Sequence, residues 1–280
     1  MCTHSSNKPS LQAVMLAVID LLNRRAAQFE REEEPWLRLE ALRALRLLVL
    51  PPPASQTPMG AGRDPDSQTW SACWWVEKDI GHATHGETRR RLVEAVDRTL
   101  TGLQGSRNPL PKIMAFGCLR NLALGSPACR SHVVHSKLAH LTVAMLAEQA
   151  KASNGLPVED LFVEGCGLLV ALAVGPRKHQ RILVEAGAYG LAEDLLKNMA
   201  QYRKVAAASF VLLGVLCMDE GCAAKLARKG DEAMKAAAFV AERWPLQVAE
   251  AVRAARQPLG SSIAALIKQG TAAAKAAAAR

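Results

Sequence analysis

Three apolar stretches repeat one another along the chain, and no other feature narrows the possible folds as much. They are Phe116-Gly-Cys-Leu-Arg-Asn-Leu-Ala-Leu124, Gly165-Cys-Gly-Leu-Leu-Val-Ala-Leu-Ala-Val174 and Phe210-Val-Leu-Leu-Gly-Val-Leu-Cys217. Aligning Leu122, Leu172 and Leu216 separates the copies by 50 and 44 residues. Each copy is followed by a short basic segment, a break, and a longer amphipathic one. Arg130 to Ser136 leads into Leu138 to Ala150, His179 to Gly187 into Tyr189 to Met199, and Cys222 to Gly230 into Glu232 to Arg243. One such unit cannot bury its own apolar face, so neighbouring units must stack.

The spacing within the units is helical, and strand-like alternation is scarce. Half of the chain is apolar but only 4% is aromatic, a mixture that suits packed helices better than a β-sandwich. A first helix is predicted over Ser10 to Phe29. A second starts near Pro35 and carries Leu37, Ala41, Leu42, Leu45, Leu48 and Val49 on one side, ending at Pro51-Pro-Pro53. Residues 51–69 are rich in Pro, Gly, Asp and Ser and read as an exposed insertion. Trp70, Trp74 and Trp75 follow it, either as interface anchors or as packing that pins the insertion down. The tail 258–280 is Ala-rich and reads as helical when docked, with a possible role in covering part of a binding groove.

A short helix followed by two longer ones, every forty-odd residues, resembles the armadillo repeat. The run Val184-Glu-Ala-Gly187 and the run Leu119-Arg-Asn-Leu-Ala123 carry the resemblance best, and Leu42-Arg-Ala-Leu-Arg-Leu-Leu-Val49 suggests an earlier copy. The resemblance implies an all-α, right-handed α-α superhelix of about four degenerate triplets over residues 1–257, with end copies as caps. Paired-helix HEAT-type repeats or an irregular bundle are the alternatives.

In the armadillo family the third helices line a concave groove, where an Asn binds an extended peptide backbone. Asn121 holds that position, but Leu47, Ala171 and Val215 hold it in the other copies. Gly117 stands where nuclear-import adaptors place a Trp, so recognition of a nuclear-import signal is not expected. The implied groove carries Arg43, Arg46 and Arg120 towards one end and Gly167, Val170, Ala171, Val211 and Val215 towards the other. An acidic or amphipathic helix suits such a surface, unless these apolar residues are simply buried by neighbouring helices.

The net charge of +9 favours acidic partners without selecting among them. Arg89-Arg-Arg91, Arg24-Arg25 and the Lys225, Arg228, Lys229 group suggest phosphate contacts, but regularly spaced stacking aromatics are lacking. Cys129, His132 and His135 have a spacing that would let a helix offer three zinc ligands, although no Cys-x-x-Cys pair accompanies them. Metal and cofactors are therefore not expected, and neither is catalysis. The chain has no nucleophile elbow, phosphate loop or His-Glu-x-x-His helix.

Seven cysteines and no Asn-x-Ser/Thr site point to a reducing compartment, the cytoplasm or the nucleus. Leu11 to Leu22 contains Asp20 and is too short to span a bilayer. The expected function is a protein-binding scaffold or adaptor. A nucleic-acid-associated helical repeat protein is the first alternative, and a helical co-chaperone or nucleotide-exchange factor the second.

Overall fold

The computed structural model describes residues 17–20, 22, 40–43, 82–106, 108–125, 127–152, 158–217 and 231–254. Every element named among them is an α-helix: α1 (His82–Gly102), α2 (Pro109–Gly125), α3 (Pro127–His135), α4 (Leu138–Ala152), α5 (Glu159–Ala173), α6 (Arg177–Glu185), α7 (Ala188–Asn198), α8 (Arg203–Leu216), α9 (Asp231–Arg243) and α10 (Pro245–Ala254). The insertion 51–69, the Trp patch and the tail 258–280 lie outside the described residues. Among the described residues no helix is long and apolar enough to cross a membrane.

Short and long helices alternate as the repeats predict. The two short ones, α3 and α6, have 9 residues each, and each is followed by two helices of 11 to 15 residues. Local signals set the boundaries. Asn108 accepts the Leu110 N–H on Oδ1 at 3.1 Å, so it caps α2, and Pro109 occupies the first turn, where its missing N–H costs nothing. Ser136 Oγ accepts the Leu138 N–H at 3.2 Å and starts α4 in the same manner. Gly187 ends α6 with φ +92° and donates its N–H to the Val184 carbonyl. That left-handed conformation is open to glycine at little cost.

The chain divides into two compact units at Val133/Val134. In the first, α1 packs on α2. Leu92, Val93, Val96 and Leu100 of α1 are all buried. Arg91 Nη2 donates to Asp20 Oδ1 at 2.9 Å and ties α1 to the helical residues 17–20. Lys112, also buried, donates from Nζ to the Ser106 carbonyl at 2.7 Å and closes the α1–α2 turn.

In the second unit α8 is the central helix. It packs on α5, α7 and α10, and every residue from Val205 to Leu216 is buried. Helix α8 thus lies between α5 and α10 and packs on both. Gly165 lets α5 approach α4 closely. A Cβ there would stand 2.7 Å from both methyl carbons of Leu146, which is itself fully buried. Trp244, at the α9–α10 elbow, donates from Nε1 to the Ala200 carbonyl at 3.3 Å and fixes that elbow to the end of α7.

Candidate functional site

The copies share more than a hydrophobic pattern. Leu122, Leu172 and Leu216 are all 0% exposed, near the ends of α2, α5 and α8. Beyond them, a side chain of the following short helix reaches back to the end of the long one. Arg130 Nε donates to the Ala123 carbonyl at 3.0 Å, and Gln180 Nε2 donates to the Ala173 carbonyl at 3.3 Å. Donor and acceptor are 7 residues apart in both cases. The two bonds lie 50 residues apart, the same offset as Leu122 and Leu172.

The last carbonyls of a helix lack intrahelical partners, and a donor from the next element satisfies one. A cation there also complements the negative end of the helix dipole. Burial holds the Arg130 guanidinium below its ordinary range. The guanidinium stays charged regardless, because its ordinary value is so high. Arg130 and Gln180 differ in chemistry but perform the same structural task, joining the short helix to the preceding long one in the first two copies; the short segment of the third, Cys222 to Gly230, lies outside the described residues.

Arg43 is exposed and pairs with Glu40 at 3.6 Å, whereas Arg46 lies outside the described residues. On α2, Gly117 is buried, Arg120 half-buried and Asn121 only 5% exposed. The Asn121 Nδ2 has no hydrogen-bond partner, which disfavours the folded state by about 1–3 kcal/mol for a buried amide. Gly167 on α5 is half-buried.

Val170, Ala171, Val211 and Val215 are at most 3% exposed. This corrects the expectation of an apolar groove at those four positions. Helices α5 and α8 are apolar around most of their circumference, and their neighbours cover them. A partner cannot touch these residues while the helices are packed. Of the expected groove residues, those at the surface are Arg43, with Arg120 and Gly167 in part. Trp70, Trp74 and Trp75 lie outside the described residues.

Cys129 does not join His132 and His135. The thiol is buried while both imidazoles are exposed, so they leave the helix on different sides. Among the described residues no group of three or more His, Cys, Asp or Glu side chains is placed to hold a metal ion. Cys118, Cys129 and Cys166 are buried thiols and Cys217 is half-buried. Burial pushes the Cys166 thiol up to about 12, opposed by a side-chain hydrogen bond with Ser209, so it is neutral near pH 7.

Three arginines of α1, Arg90, Arg91 and Arg98, have acidic partners within their own unit. Arg91 pairs with Asp20, and Arg90 and Arg98 pair with Glu94 at 3.7 and 3.9 Å. Lys225, Arg228 and Lys229 lie outside the described residues.

The roles of Arg130, Gln180 and Gly165 were not anticipated from sequence. For the two caps a signal existed: they lie at the repeat offset, one helical segment after the aligned leucines. No family model matches the chain, and comparison with curated proteins and with solved structures gives no match.

Proposed function

We propose that the chain is a non-catalytic, armadillo-like helical repeat protein that serves as a scaffold or adaptor and binds an acidic or amphipathic segment of a protein partner. The observation that carries this reading is the cap shared by Arg130 and Gln180 at a 50-residue offset. Helices repeated with the same end-to-end joint resemble a solenoid, and solenoids present an extended surface suited to binding other chains. Such folds host many functions, so the functional part of the reading rests on fold-level analogy.

The contact surface consists of the polar and basic positions that stay at least partly exposed, Arg43 and half-buried Arg120 among them, and excludes the buried valines of α5 and α8. The chain works inside the cell, in the cytoplasm or nucleus. The nucleic-acid alternative is weakened by the ion pairs that engage Arg90, Arg91 and Arg98 of α1.

Affinity purification with crosslinking tests the reading. Protein partners crosslinked to residues 112–217 at surface positions support it. Recovery of nucleic acid alone, with binding that falls steeply as salt is added, overturns it in favour of the alternative.

A further inference from the structure

Among the described residues three large apolar side chains are exposed: Leu110, Phe239 and Leu246. Two of them lie on either side of the α9–α10 elbow, Phe239 at 47% and Leu246 at 70% exposure. Both helices pack on α8, and their buried residues are Ala237 and Val240 on α9 and Val248 on α10. At about 100° per residue, Leu246 leaves α10 about 160° away from Val248. Phe239 likewise leaves α9 about 100° from Val240 and about 160° from Ala237. Both side chains therefore point away from the interior. Arg243, four residues after Phe239 on α9, is exposed too, and its guanidinium lies over the Trp244 ring, 5.6 Å from the centroid. Leu246 comes three residues later, so the chain keeps Phe239 and Leu246 within about 17 Å of each other. Trp244 fixes the elbow through its bond to the Ala200 carbonyl.

We infer that residues 262–269 dock on this elbow as a short helix, with Ile263, Leu266 and Ile267 against Phe239 and Leu246. The segment Ser262-Ile-Ala-Ala-Leu-Ile-Lys-Gln269 has large apolar residues at positions i, i+3 and i+4, which one helical face carries. Ser261 and Ser262 suit the start of a helix, and Gly270 suits its end. Pro258 and Gly260 separate the segment from α10, so the chain can turn back between them. The distance allows it. Leu246 precedes Ala254, the last residue of α10, by about 12 Å of helix, and residues 255–262 can span about 25 Å.

Area selects the occupant. Phe239 and Leu246 together offer on the order of 200 Å² of apolar surface. A stable complex between separate chains buries about 800 Å² on each partner. A tethered segment needs far less, because its effective concentration at the elbow is about millimolar. The segment needs the contact in turn: eight residues are too few to hold a helix in water without a surface to pack on. Val170, Val211 and Val215 are covered already and offer it none. The inference does not depend on the proposed protein-binding role, whose crosslinking experiment reports on residues 112–217.

Hydrogen exchange of the full chain, read by mass spectrometry on fragments covering residues 262–270, tests the contact. In the wild type these amides are expected to exchange about tenfold or more slowly than in a free peptide of the same sequence. Phe239→Gln/Leu246→Gln and Leu266→Gln/Ile267→Gln are each expected to abolish that protection and to leave the amides of α8 as protected as before. Leu110→Gln, at the third exposed position, should leave it unchanged. Thiol labelling reads the same contact from the other side. A cysteine at Leu246→Cys is expected to react severalfold faster once Leu266→Gln/Ile267→Gln is also present.

Wild-type amides that exchange as fast as the free peptide would overturn the inference, as would equal labelling rates at the cysteine. Protection that survives Phe239→Gln/Leu246→Gln would place the segment on another surface. Protection that rises with protein concentration would assign the elbow to a second copy of the chain. Either result would overturn the inference as well.

Discussion

Replacing Gly165 with alanine sets two effects of known size against each other. Alanine is the better helix former by about 1 kcal/mol, so the substitution should stabilise an uncrowded helix. Here the new methyl would stand 2.7 Å from both Leu146 methyl carbons and 3.1 Å from its Cγ. Leu146 is fully buried, so its side chain must shift within the packed interior to make room. Overpacking of this kind typically destabilises by about 1–3 kcal/mol. Gly165→Ala is therefore expected to destabilise by about 0–2 kcal/mol in sum.

Leu146→Ala alone should cost about 2–5 kcal/mol through lost burial and the cavity left behind. In that background the crowding is gone, and Gly165→Ala should stabilise by about 1 kcal/mol from propensity alone. The double variant is thus expected to be more stable than the sum of the single effects by about 1–3 kcal/mol. Urea unfolding followed by far-ultraviolet circular dichroism, with hydrogen exchange of the α5 and α8 amides to localise the transition to the second unit, measures all four proteins. Additive effects, or a Gly165→Ala chain more stable than wild type, would refute the close approach of α4 and α5.

Gly187→Ala should destabilise the second unit by about 1–2 kcal/mol in urea, because φ +92° is a left-handed conformation, whereas Gly187→Asn should cost less. Gln180→Leu leaves the Ala173 carbonyl without this donor and is expected to cost about 1–3 kcal/mol by the same measurement. Cys166 supplies a pH dependence. Its folded value is raised to about 12 from an ordinary 9.0, so its contribution to stability is fully present below pH 9 and is lost as pH rises from there towards 12. Denaturation of wild type and Cys166→Ala across that window should show an extra loss of at most about 1.4 kcal/mol per pH unit in the wild type, and equal slopes would contradict the buried thiol. Asp20→Asn should change stability by only about 0–1 kcal/mol in the same assay, because its ion pair with Arg91 is partly exposed.

Much of the helical rhythm was readable before any coordinates. The segment expected to run from His179 to Gly187 is helix α6 from Arg177 to Glu185, and the one expected from Tyr189 to Met199 is α7 from Ala188 to Asn198. Gly and Pro punctuate these junctions because backbone sterics leave them few other places. Which face of a helix meets solvent was harder to read. In α8 nearly every position is apolar, so periodicity cannot separate a groove from a core, and Val211 and Val215 proved to be core. Arg130 and Gln180 were hidden for another reason: an arginine and a glutamine do not look alike, and their equivalence lies in the carbonyls they reach.

Spin-label distances test the central claim, that one helical unit recurs at a 50-residue offset. Leu110 and Asp160 are exposed counterparts at the start of α2 and α5, and Ala128 and Lys178 are exposed counterparts on α3 and α6. With reactive native cysteines replaced, one protein carries labels at Leu110→Cys and Ala128→Cys, another at Asp160→Cys and Lys178→Cys. Recurrence predicts two distance distributions with the same centre. Centres separated by more than the width of either distribution would mean that the two helix pairs are joined differently, and the repeat would be one of sequence pattern alone.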